Sequence, residues 1–361
     1  MTKKASFFSK RLIVWYMENK RELPWRNTID PYKIWLSEIM LQQTRVAQGL
    51  PYYLKFCEAF PKVEDLANAS EEEVLKLWQG LGYYSRARNL HTTAKYVSEE
   101  LKGVFPNNYK DLLLLKGIGD YTASAIASIC FNEPTAVVDG NVYRVLSRVF
   151  NIDTPINSTN GIKEFKLLAQ ELVDEQIPGN YNQAIMEFGA RFCTPQNPDC
   201  NSCIYNDKCL AFQKNKVKDL PVKLKKTKVK NLYFNYIVMI SELNSTVLNQ
   251  RTQKGIWQQL YEFPLIETKS EIDHNQLIIL EEYKDLATKF HIETISIYNE
   301  IPIIHKLSHR NLHTRFWIAE ISNTIEKSID IDSITNYPVP VLIENFISEF
   351  FQNEEINKGN D

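Results

Sequence analysis

The stretch LKGIGDYTA at residues 115–123 lies between two apolar stretches with helical spacing. Gly117 and Gly119 allow a tight turn, and a helix that begins directly after them points free backbone N–H groups outward. Such a helix N-terminus binds a phosphate without preference for base sequence. No strand precedes the turn and a third glycine is missing, which excludes the dinucleotide-binding fingerprint. Two glycines also fit an ordinary turn, so the surrounding sequence has to decide between these interpretations.

The surrounding residues 7–212 read as one helix after another, with apolar side chains at helical spacing. Ser70 precedes three glutamates, which combines an N-cap with first-turn acids that suit the helix dipole. Asp30 and Pro31 open another helix in the same manner. The sequence therefore predicts an all-α domain around the glycine turn.

Four cysteines follow these helices: Cys193, Cys200, Cys203 and Cys209, spaced C-x6-C-x2-C-x5-C. Four thiolates within so short a loop can surround one metal centre without a distant ligand. Structural zinc sites usually consist of two short cysteine pairs separated by a longer segment. The uneven spacing fits an iron–sulfur cubane better, and zinc remains the alternative. In a reducing compartment the cysteines are better interpreted as ligands than as disulfides.

The charges are distributed unevenly, with 32 Lys and Arg against 25 Asp and Glu in residues 1–230, and 10 against 19 in residues 231–361. A basic first part suits a polyanionic partner such as DNA, although such an imbalance also merely aids solubility. We find neither a signal peptide nor an apolar run near the roughly 18 residues of a membrane helix. These features predict a cytoplasmic protein, nucleoid-associated if its source is bacterial, with no membrane partner.

The composition changes at residues 214–230, where eight lysines and a proline predict a basic, solvated linker. Beyond it, residues 233–240, 246–248 and 315–318 are strand-like, and residues 279–290 and 341–351 are helical. The predicted organisation is a helical domain at 1–213, the linker at 214–230 and a small α+β domain at 231–361.

Two carboxylates stand out as candidates for acid–base chemistry. Two acids in different environments can divide proton donation and the stabilisation of a growing positive charge between them. Glu38 lies in the apolar stretch LSEIML, where burial would raise its pKa, and Asp139 lies in VVDGNV just before a helix. On spacing alone, Glu38 also fits a surface acid and Asp139 also fits a simple N-cap.

Several long motifs resemble the MutY adenine glycosylases. They are LPWR (23–26), PYKIWLSEIMLQQTRV (31–46), WQGLGYYSRARNL (78–90), DGNVYRV (139–145) and NQAIMEFGA (182–190), which leads into a cysteine loop of the same spacing. The glycine turn itself resembles the helix–hairpin–helix motif of base-excision glycosylases, with Lys116 where that family usually has proline. The resemblance covers nearly all of residues 7–212. It implies a helix–hairpin–helix glycosylase domain with a [4Fe–4S] cluster held by the four cysteines.

The resemblance also implies roles for individual residues. Glu38 would protonate adenine and activate water, Asp139 would stabilise the oxocarbenium-like sugar, and Tyr121 and Asn141 would orient these groups. The residues that would contact DNA or the flipped base are Trp25, Arg26, Leu41, Gln42, Gln43, Thr44, Tyr83, Arg86, Gly117, Gly119 and Glu187. Within this set, Gln43 and Tyr83 would wedge into the base stack near the mispair.

Tyr121 separates this sequence from the endonuclease III-like lyases, which carry a catalytic lysine two residues after the second hairpin glycine. A tyrosine at that position cannot form a Schiff base. We therefore expect a monofunctional glycosylase that causes little or no strand cleavage.

In the second domain, GIWQQLYEFP (255–264) resembles a stretch of the MutY C-terminal domain, which is similar to Nudix hydrolases. The glutamate-rich catalytic box of those hydrolases is absent after it, so a recognition module is expected. HKLSH (305–309) matches the loop that reads oxidised guanine in the family. Ser308 and His309 would form hydrogen bonds with the altered base edge. Leu307 would act as a wedge, at a position where the family more often has phenylalanine.

The expected function is hydrolysis of adenine from mispairs with 8-oxoguanine or guanine in double-stranded DNA, by a monomer. Three alternatives remain at this stage: an endonuclease III-type lyase, a non-catalytic cluster-containing DNA-binding module, and a zinc-containing structural protein. Tyr121 argues against the first alternative. The presence of both Glu38 and Asp139 argues against the second.

Overall fold

The computed structural model describes residues 3–224, 229–322 and 328–358, with side chains described from residue 7 to residue 351. The chain forms two compact units. Unit 1 consists of residues 1–68 and 88–225, and unit 2 consists of residues 69–87 and 226–361. The segment 69–87 lies inside the predicted helical domain but packs with unit 2, and the predicted domain limits stay a prediction.

Unit 1 is helical over the residues that the structure describes. Its helices are α1 (Lys3–Asn19), α2 (Pro31–Leu41), α3 (Val46–Ala59), α4 (Val63–Asn68), the part of α6 (Ser85–Glu99) after residue 87, α7 (Tyr109–Leu112), α8 (Asp120–Phe131), α9 (Gly140–Phe150), α10 (Thr159–Leu172), α11 (Pro178–Arg191) and α12 (Leu210–Gln213). A 3-10 turn at Pro24–Arg26 precedes α2. Asp30 caps α2 by accepting a hydrogen bond from Tyr32 N, and Pro31 occupies the first turn.

The core of unit 1 lies between α1, α9, α10 and α11. Aromatic side chains dominate it, as in the stacked rings of Phe8 and Tyr205, whose centroids lie 4.9 Å apart. Helix α9 contributes Val142, Val145 and Leu146 from one face. This core fixes the start of α9 against α11, where the candidate site lies.

The first part of the predicted linker packs onto unit 1 instead of being solvated. Leu220 is buried, and its carbonyl accepts a hydrogen bond of 3.1 Å from Arg148 Nε. Ile156 N donates to the carbonyl of Val222. The lysine pattern could not reveal this packing because the apolar residues between the lysines make the contacts. Residues 225–228 of the linker lie outside the described residues.

Unit 2 combines a sheet with helices. Its strands are β1 (Lys230–Ser241), β2 (Ser245–Thr246), β3 (Asn249–Gln250), β4 (Tyr261–Glu262), β5 (Leu265–Thr268), β6 (Ile292–Ile297), β7 (Ile303–Lys306), β8 (Arg310–Ile321) and β9 (Ile329–Asp330). Its helices are α5 (Glu71–Trp78), the first residues of α6, α13 (His274–Ile278), α14 (Glu281–Phe290) and α15 (Val341–Lys358), with a 3-10 turn at Ile331–Asn336. The main sheet has the order β5-β1-β8-β6, with β7 also paired to β8.

Strand β1 is central and runs parallel to β8, with Tyr236 opposite Phe316, while β5, β6 and β7 pair antiparallel. One face of the sheet packs on α13 and α14 through residues such as Ile237 and Trp317. On the other face, Phe316 stacks on Phe346 of α15 with ring centroids 4.0 Å apart. The predicted all-α and α+β fold classes are both confirmed.

Two local differences from the sequence expectation are small. The stretch predicted as a strand at 246–248 keeps only Thr246 in β2. The helix predicted at 279–290 begins at Glu281 as α14, and a separate short helix, α13, precedes it at His274–Ile278. None of the helices described for this chain is long and apolar enough to cross a membrane.

Candidate active site

A cavity of about 170 Å³ opens in unit 1 between α2, α8, α9 and α11. The side chains that line it are Arg21, Leu23, Trp25, Arg26, Ile34, Glu38, Leu41, Thr44, Val46, Tyr121, Ile129, Asp139, Asn141, Gln183, Met186, Glu187 and Ala190. All four residues predicted to be catalytic belong to this lining. Of the predicted base-pocket residues, Trp25, Arg26, Leu41 and Glu187 do so as well.

Glu38 lies on α2 among apolar neighbours and is only 8% exposed. Burial disfavours its charged form and raises its pKa to about 7. A hydrogen bond with Tyr121 opposes this rise, and the negative charge of Asp139 adds to it. Near neutral pH a substantial fraction of Glu38 is therefore protonated, as a proton donor requires.

Asp139 is the N-cap of α9, and its environment differs from that of Glu38. Its Oδ1 accepts hydrogen bonds of 2.8 Å from Asn141 N and Val142 N, and its Oδ2 accepts one of 2.8 Å from Asn141 Nδ2. Burial raises the pKa of Asp139, while these three donors favour the ionised form and oppose the rise. The same carboxylate therefore caps α9 and lines the cavity. The hydrogen bonds that it accepts hold it in a fixed orientation.

Tyr121 comes from the first turn of α8 and stands between the two acids. Burial raises the pKa of its phenol well above the ordinary value, and the charges of Glu38 and Asp139 add to this effect. The hydroxyl therefore stays protonated, and it lies 3.1 Å from Sδ of Met186. A neutral hydroxyl at this point can orient a carboxyl group but cannot form an imine.

Glu187 is held by two arginines at the far side of the cavity. Arg21 donates from Nε and Nη2 at 2.7 and 2.6 Å, and Arg26 donates from Nη2 at 2.7 Å. Burial alone would raise the pKa of Glu187, but these hydrogen bonds and charges lower it to about 2. Glu187 is thus a fixed anion with fully engaged oxygens, in contrast to Glu38.

Arg144 joins Asn141 to the cysteine loop. Its Nη2 donates to Asn141 Oδ1 at 2.8 Å, and its Nε donates to the carbonyl of Cys193 at 2.7 Å. Because Asn141 in turn donates to Asp139, a continuous chain of hydrogen bonds runs from the loop to the candidate catalytic acid.

The four cysteines line one small cavity of about 20 Å³. The buried guanidinium of Arg148 donates to Cys193 Sγ at 3.5 Å, and also binds the carbonyls of Thr194 and Pro195. In the part of the chain that the structure describes, no three Cys, His, Asp or Glu side chains are grouped for a metal ion. The donors therefore surround a cavity without meeting at one point.

The predicted hairpin has the expected backbone geometry. Gly117 has φ +79°, and a Cβ there would lie 2.8 Å from Cβ of Asn89, so a side chain would be both strained and crowded. Gly119 is the N-cap of α8, and no side chain caps it there. An added Cβ at Gly119 would meet open space, so the backbone at this helix start is accessible.

Asp120, the first residue of α8, places a negative charge beside this helix start. Lys166 of α10 donates both to Asp120 Oδ1 and to the hydroxyl of Tyr109, which itself bonds Asp120. The lysine thereby compensates a charge that would repel a phosphate.

The loop after α2 carries the glutamine pair of the MutY-like motif. Gln43 has φ +57°, an uncommon conformation for a residue with a side chain. Gln42 Nε2 donates to Thr122 Oγ1 at 3.2 Å, and Thr44 Oγ1 donates to the carbonyl of Gln42 at 3.3 Å. Gln42 and Thr44 thus support the strained turn that presents Gln43.

In unit 2, Tyr83 and the 305–309 hairpin lie together. Tyr83 is 46% exposed with φ +49°, and its hydroxyl lies 2.5 Å from Ser308 Oγ. Arg86 stacks over the Tyr83 ring and donates to the carbonyl of Gly82. Ser308 and His309 are exposed at the turn between β7 and β8, and Leu307 is half-buried.

Sequence reasoning gave no role to Arg21 and Met186, which line the cavity, or to Arg144, which donates a hydrogen bond to Asn141. Arg21 precedes the LPWR motif and carried no signal of its own. Met186 lay inside a quoted motif but was given no role. Arg144 also lay inside one, and its spacing of three from Asn141 on a helix could have indicated the contact.

The sequence profile of the HhH-GPD superfamily base excision DNA repair proteins matches residues 36–171, and that of the NUDIX domain matches residues 235–349. In structure, the chain is similar to a thermostable thymine-DNA glycosylase, with 31% identity and a TM-score of 0.55, over 59% of this chain and 98% of that one. It also shares the fold of endonuclease III in a non-covalent DNA complex, with 20% identity and a TM-score of 0.51 over 60% of this chain and 98% of the other. The fold is thus that of the helix–hairpin–helix repair glycosylases.

Among curated relatives, the adenine DNA glycosylase of Buchnera aphidicola subsp. Schizaphis graminum is 35% identical over 83% of this chain and 88% of its own length. That of subsp. Baizongia pistaciae is 36% identical over 86% of each. The mouse adenine DNA glycosylase is 49% identical over 57% of this chain, which spans 42% of the mouse protein. The chain belongs to the adenine DNA glycosylase family, whose members are hydrolases of N-glycosyl bonds.

Proposed function

We propose that the protein hydrolyses the N-glycosidic bond of adenine mispaired with 8-oxoguanine or guanine in double-stranded DNA. The observation that carries this proposal is the meeting of Glu38 and Asp139 in one cavity, in different environments. Burial raises the pKa of Glu38 to about 7, whereas Asp139 accepts three hydrogen bonds that favour its ionised form. Such a division between two carboxyl groups is what acid-assisted glycoside cleavage requires.

Glu38 supplies the proton. Its buried carboxyl has a pKa of about 7, so it can donate to a ring nitrogen of adenine as the C1′–N9 bond breaks, and then accept a proton from the attacking water. Tyr121 holds the carboxyl in place through its hydrogen bond. The opposite wall, with Glu187 fixed by Arg21 and Arg26, offers a rigid polar surface for a base turned out of the duplex.

Asp139 stabilises the positive charge that grows on the sugar. Its three hydrogen-bond donors keep a carboxylate oriented into the cavity without reorganisation during the reaction. Arg144 fixes Asn141, one of these donors, from behind.

Strand cleavage is not part of the proposed reaction. At the hairpin position where a lyase needs an amine, the chain has the protonated phenol of Tyr121. A monofunctional glycosylase releases adenine and leaves the abasic strand intact.

The residues of the cysteine loop fit a [4Fe–4S] cluster. Four thiols surround one cavity, and a zinc ion would need all of its sulfur ligands about 2.3 Å from a single point. The four ligands would be Cys193, Cys200, Cys203 and Cys209. The cluster would supply structural rigidity to the loop whose carbonyls accept hydrogen bonds from Arg144 and Arg148.

The protein would act as a monomer, and the accessible start of α8 would bind the DNA backbone.

Discrimination of the partner base is assigned to unit 2. Ser308 and His309 offer exposed donors and acceptors for the edge of an oxidised guanine, beside the wedge residue Tyr83. Leu307 is half-buried and is proposed as a further wedge beside Gln43 and Tyr83.

The test is adenine release under single-turnover conditions from duplexes that hold adenine opposite 8-oxoguanine, guanine, thymine or cytosine. Release confined to the two guanine-type partners supports the proposal. Release from every duplex, or from none despite tight binding, contradicts it.

Two further measurements test the finer parts. Borohydride should trap little protein–DNA adduct, and efficient trapping would make the protein a lyase. Iron and sulfide analysis of purified protein should give about four of each per chain by the cubane assignment, and zinc in their place would overturn it.

A further inference from the structure

Tyr83 belongs to a turn at residues 79–84 (QGLGYY), which we call the wedge turn. Three of its residues, Gly80, Gly82 and Tyr83, have positive φ values of 90°, 77° and 49°. For tyrosine this conformation is unfavourable, so it persists only where surrounding contacts hold the turn.

One set of contacts comes from the residues next to the turn. Trp78 Nε1 and Arg86 Nη2 each donate to the carbonyl of Gly82 at 3.0 Å. These bonds shape the turn itself, but they do not set its position against the hairpin that carries Ser308.

A second set comes from residues 337–340 (YPVP), which we call the strap. Gln79 Oε1 accepts a hydrogen bond of 3.1 Å from Val339 N and another of 3.1 Å from Lys76 Nζ. Lys76 Nζ also donates to the carbonyl of Tyr337 at 3.2 Å. The amide oxygen of Gln79 thus accepts hydrogen bonds from two donors. Lys76 bonds both this oxygen and the carbonyl of Tyr337, so it also links the wedge turn to the strap.

The strap is itself fixed in unit 2. Tyr261 N of β4 donates to the carbonyl of Pro338 at 2.8 Å, and the rings of Tyr261 and Tyr337 lie 4.9 Å apart. Val339 is buried, and two prolines restrict the backbone on either side of it. The strap is therefore a rigid segment to which two residues attach the wedge turn: Gln79 through Val339 N at 3.1 Å, and the Tyr84 hydroxyl through the longer contact of 3.5 Å to the carbonyl of Val339.

At the other end of the turn, the Tyr83 hydroxyl meets Ser308 Oγ at 2.5 Å, on the exposed hairpin. The geometry points to Gln79 as a positioning residue: it fixes the wedge turn so that Tyr83 and Ser308 form one reading surface for the partner base. This inference rests on the proposed function, because it assigns partner-base discrimination to that surface.

The effect of Gln79 should fall on discrimination more than on bond cleavage. Glu38, Asp139 and Tyr121 belong to unit 1, whereas the wedge turn and the strap belong to unit 2. A loosened wedge turn would let Tyr83 and Ser308 separate, and the advantage that an oxidised guanine gains from both would shrink. A guanine partner lacks the altered edge and loses less.

The experiment compares Gln79→Leu with Gln79→Glu in the full chain. Glutamate keeps an oxygen that accepts from Val339 N and Lys76, whereas leucine removes the acceptor of the buried Val339 N–H and leaves Lys76 bonded only to the carbonyl of Tyr337. We expect Gln79→Leu to lower the ratio of single-turnover rates, 8-oxoguanine over guanine, by about fivefold, a typical effect of one lost hydrogen bond. Gln79→Glu should restore the wild-type ratio.

Lys76→Met provides a second variant in case leucine at position 79 prevents folding, and it should lower the ratio by a smaller factor. In Gln79→Leu/Ser308→Ala the two effects should not multiply, because both act through the Tyr83–Ser308 pair.

Equal losses on both duplexes, or an unchanged ratio in a folded Gln79→Leu protein, would overturn the role of Gln79. Equal wild-type rates on the two duplexes would overturn the reading surface itself. A wild-type protein that releases adenine opposite neither partner, or equally opposite thymine, would instead overturn the proposed function, which keeps the two failures distinct.

Discussion

The cavity of unit 1 and the 305–309 hairpin of unit 2 differ in how far their functional side chains are exposed to solvent. In the cavity, Glu38 is nearly inaccessible and each acid is oriented by hydrogen bonds. At the hairpin, Ser308 and His309 project into solvent from the turn between two paired strands. Bond cleavage benefits from burial, since burial changes a pKa and excludes water, whereas reading a base needs side chains that reach outward.

The two regions also differ in what keeps them rigid. Four helices enclose the cavity, with the Asp139 cap at the start of α9. The hairpin depends on the backbone ladder between β7 and β8, closed by Leu307 N donating to the carbonyl of Arg310 at 2.8 Å. Variants in the cavity should therefore alter the rate on every substrate, and variants at the hairpin should alter the choice among substrates.

The largest expected effect is that of Glu38→Gln. The amide keeps the shape of the side chain but has no acidic proton, so adenine release should fall by about a thousandfold or more on every duplex. DNA binding should hold within a fewfold, as measured by fluorescence anisotropy. Residual activity within tenfold of wild type would remove Glu38 from the chemistry.

Asp139→Asn separates capping from catalysis. Asparagine caps a helix about as well as aspartate, so the thermal midpoint should change little, while the lost charge should slow adenine release by about a hundredfold. Calorimetry and single-turnover kinetics on one preparation test both statements. A large drop in midpoint with a nearly normal rate would reduce Asp139 to a cap.

The next largest effect is expected in the pH dependence of the free energy of unfolding. Burial raises the pKa of Glu38 from 4.5 to about 7, so its stabilising contribution is complete below pH 4.5 and is lost as pH rises through 7. Glu38→Gln lacks this loss, and its free energy of unfolding relative to wild type should rise by roughly 2.5 kcal/mol between pH 5 and pH 8. The rate of adenine release should decline over the upper part of the same range. Urea titrations at both pH values are the check, and parallel curves for the two proteins would refute a buried acid.

Ser308→Ala should change only the preference between the two partner bases. Loss of its hydroxyl removes a group for the base edge and the partner of Tyr83, so the preference for 8-oxoguanine over guanine should fall by about tenfold. The rate with guanine opposite adenine serves as the internal control and should stay within twofold. Ser328, outside the hairpin, offers a matched serine-to-alanine control.

The smallest expected effect concerns the hairpin helix. Lys166→Gln leaves the charge of Asp120 uncompensated beside the start of α8, and DNA binding should weaken about threefold, equally for both duplexes and less at high salt. Adding Asp120→Asn should recover the affinity. If the double variant binds no better than Lys166→Gln, the pair has no role in phosphate binding.

The sequence predicted local features well wherever a residue's neighbours determine them. Glu38 is buried, as the apolar residues before and after it on α2 predicted. Gly117 adopts a positive φ, as the hairpin pattern requires. It could not predict contacts between distant segments. Arg21 meets Glu187 across 166 positions, and Gln79 meets Val339 across 260, with no periodicity to indicate either pair.

The lysine-rich segment illustrates a different limit. Its composition predicted a solvated linker, yet Leu220 is buried against unit 1 and Arg148 binds its carbonyl. Composition reports the average character of a segment, and here a few apolar residues decide where it packs. The roles of the site residues stay predictions, since geometry brings them together but only kinetics assigns them.

The most direct test of the division between the two regions is one set of single-turnover rates. Wild type, Asp139→Asn and Ser308→Ala would each be measured on duplexes with adenine opposite 8-oxoguanine and opposite guanine. Asp139→Asn should lower both rates by the same factor, and Ser308→Ala should lower only the rate opposite 8-oxoguanine. A changed preference in Asp139→Asn, or an equal loss on both duplexes in Ser308→Ala, would contradict the account.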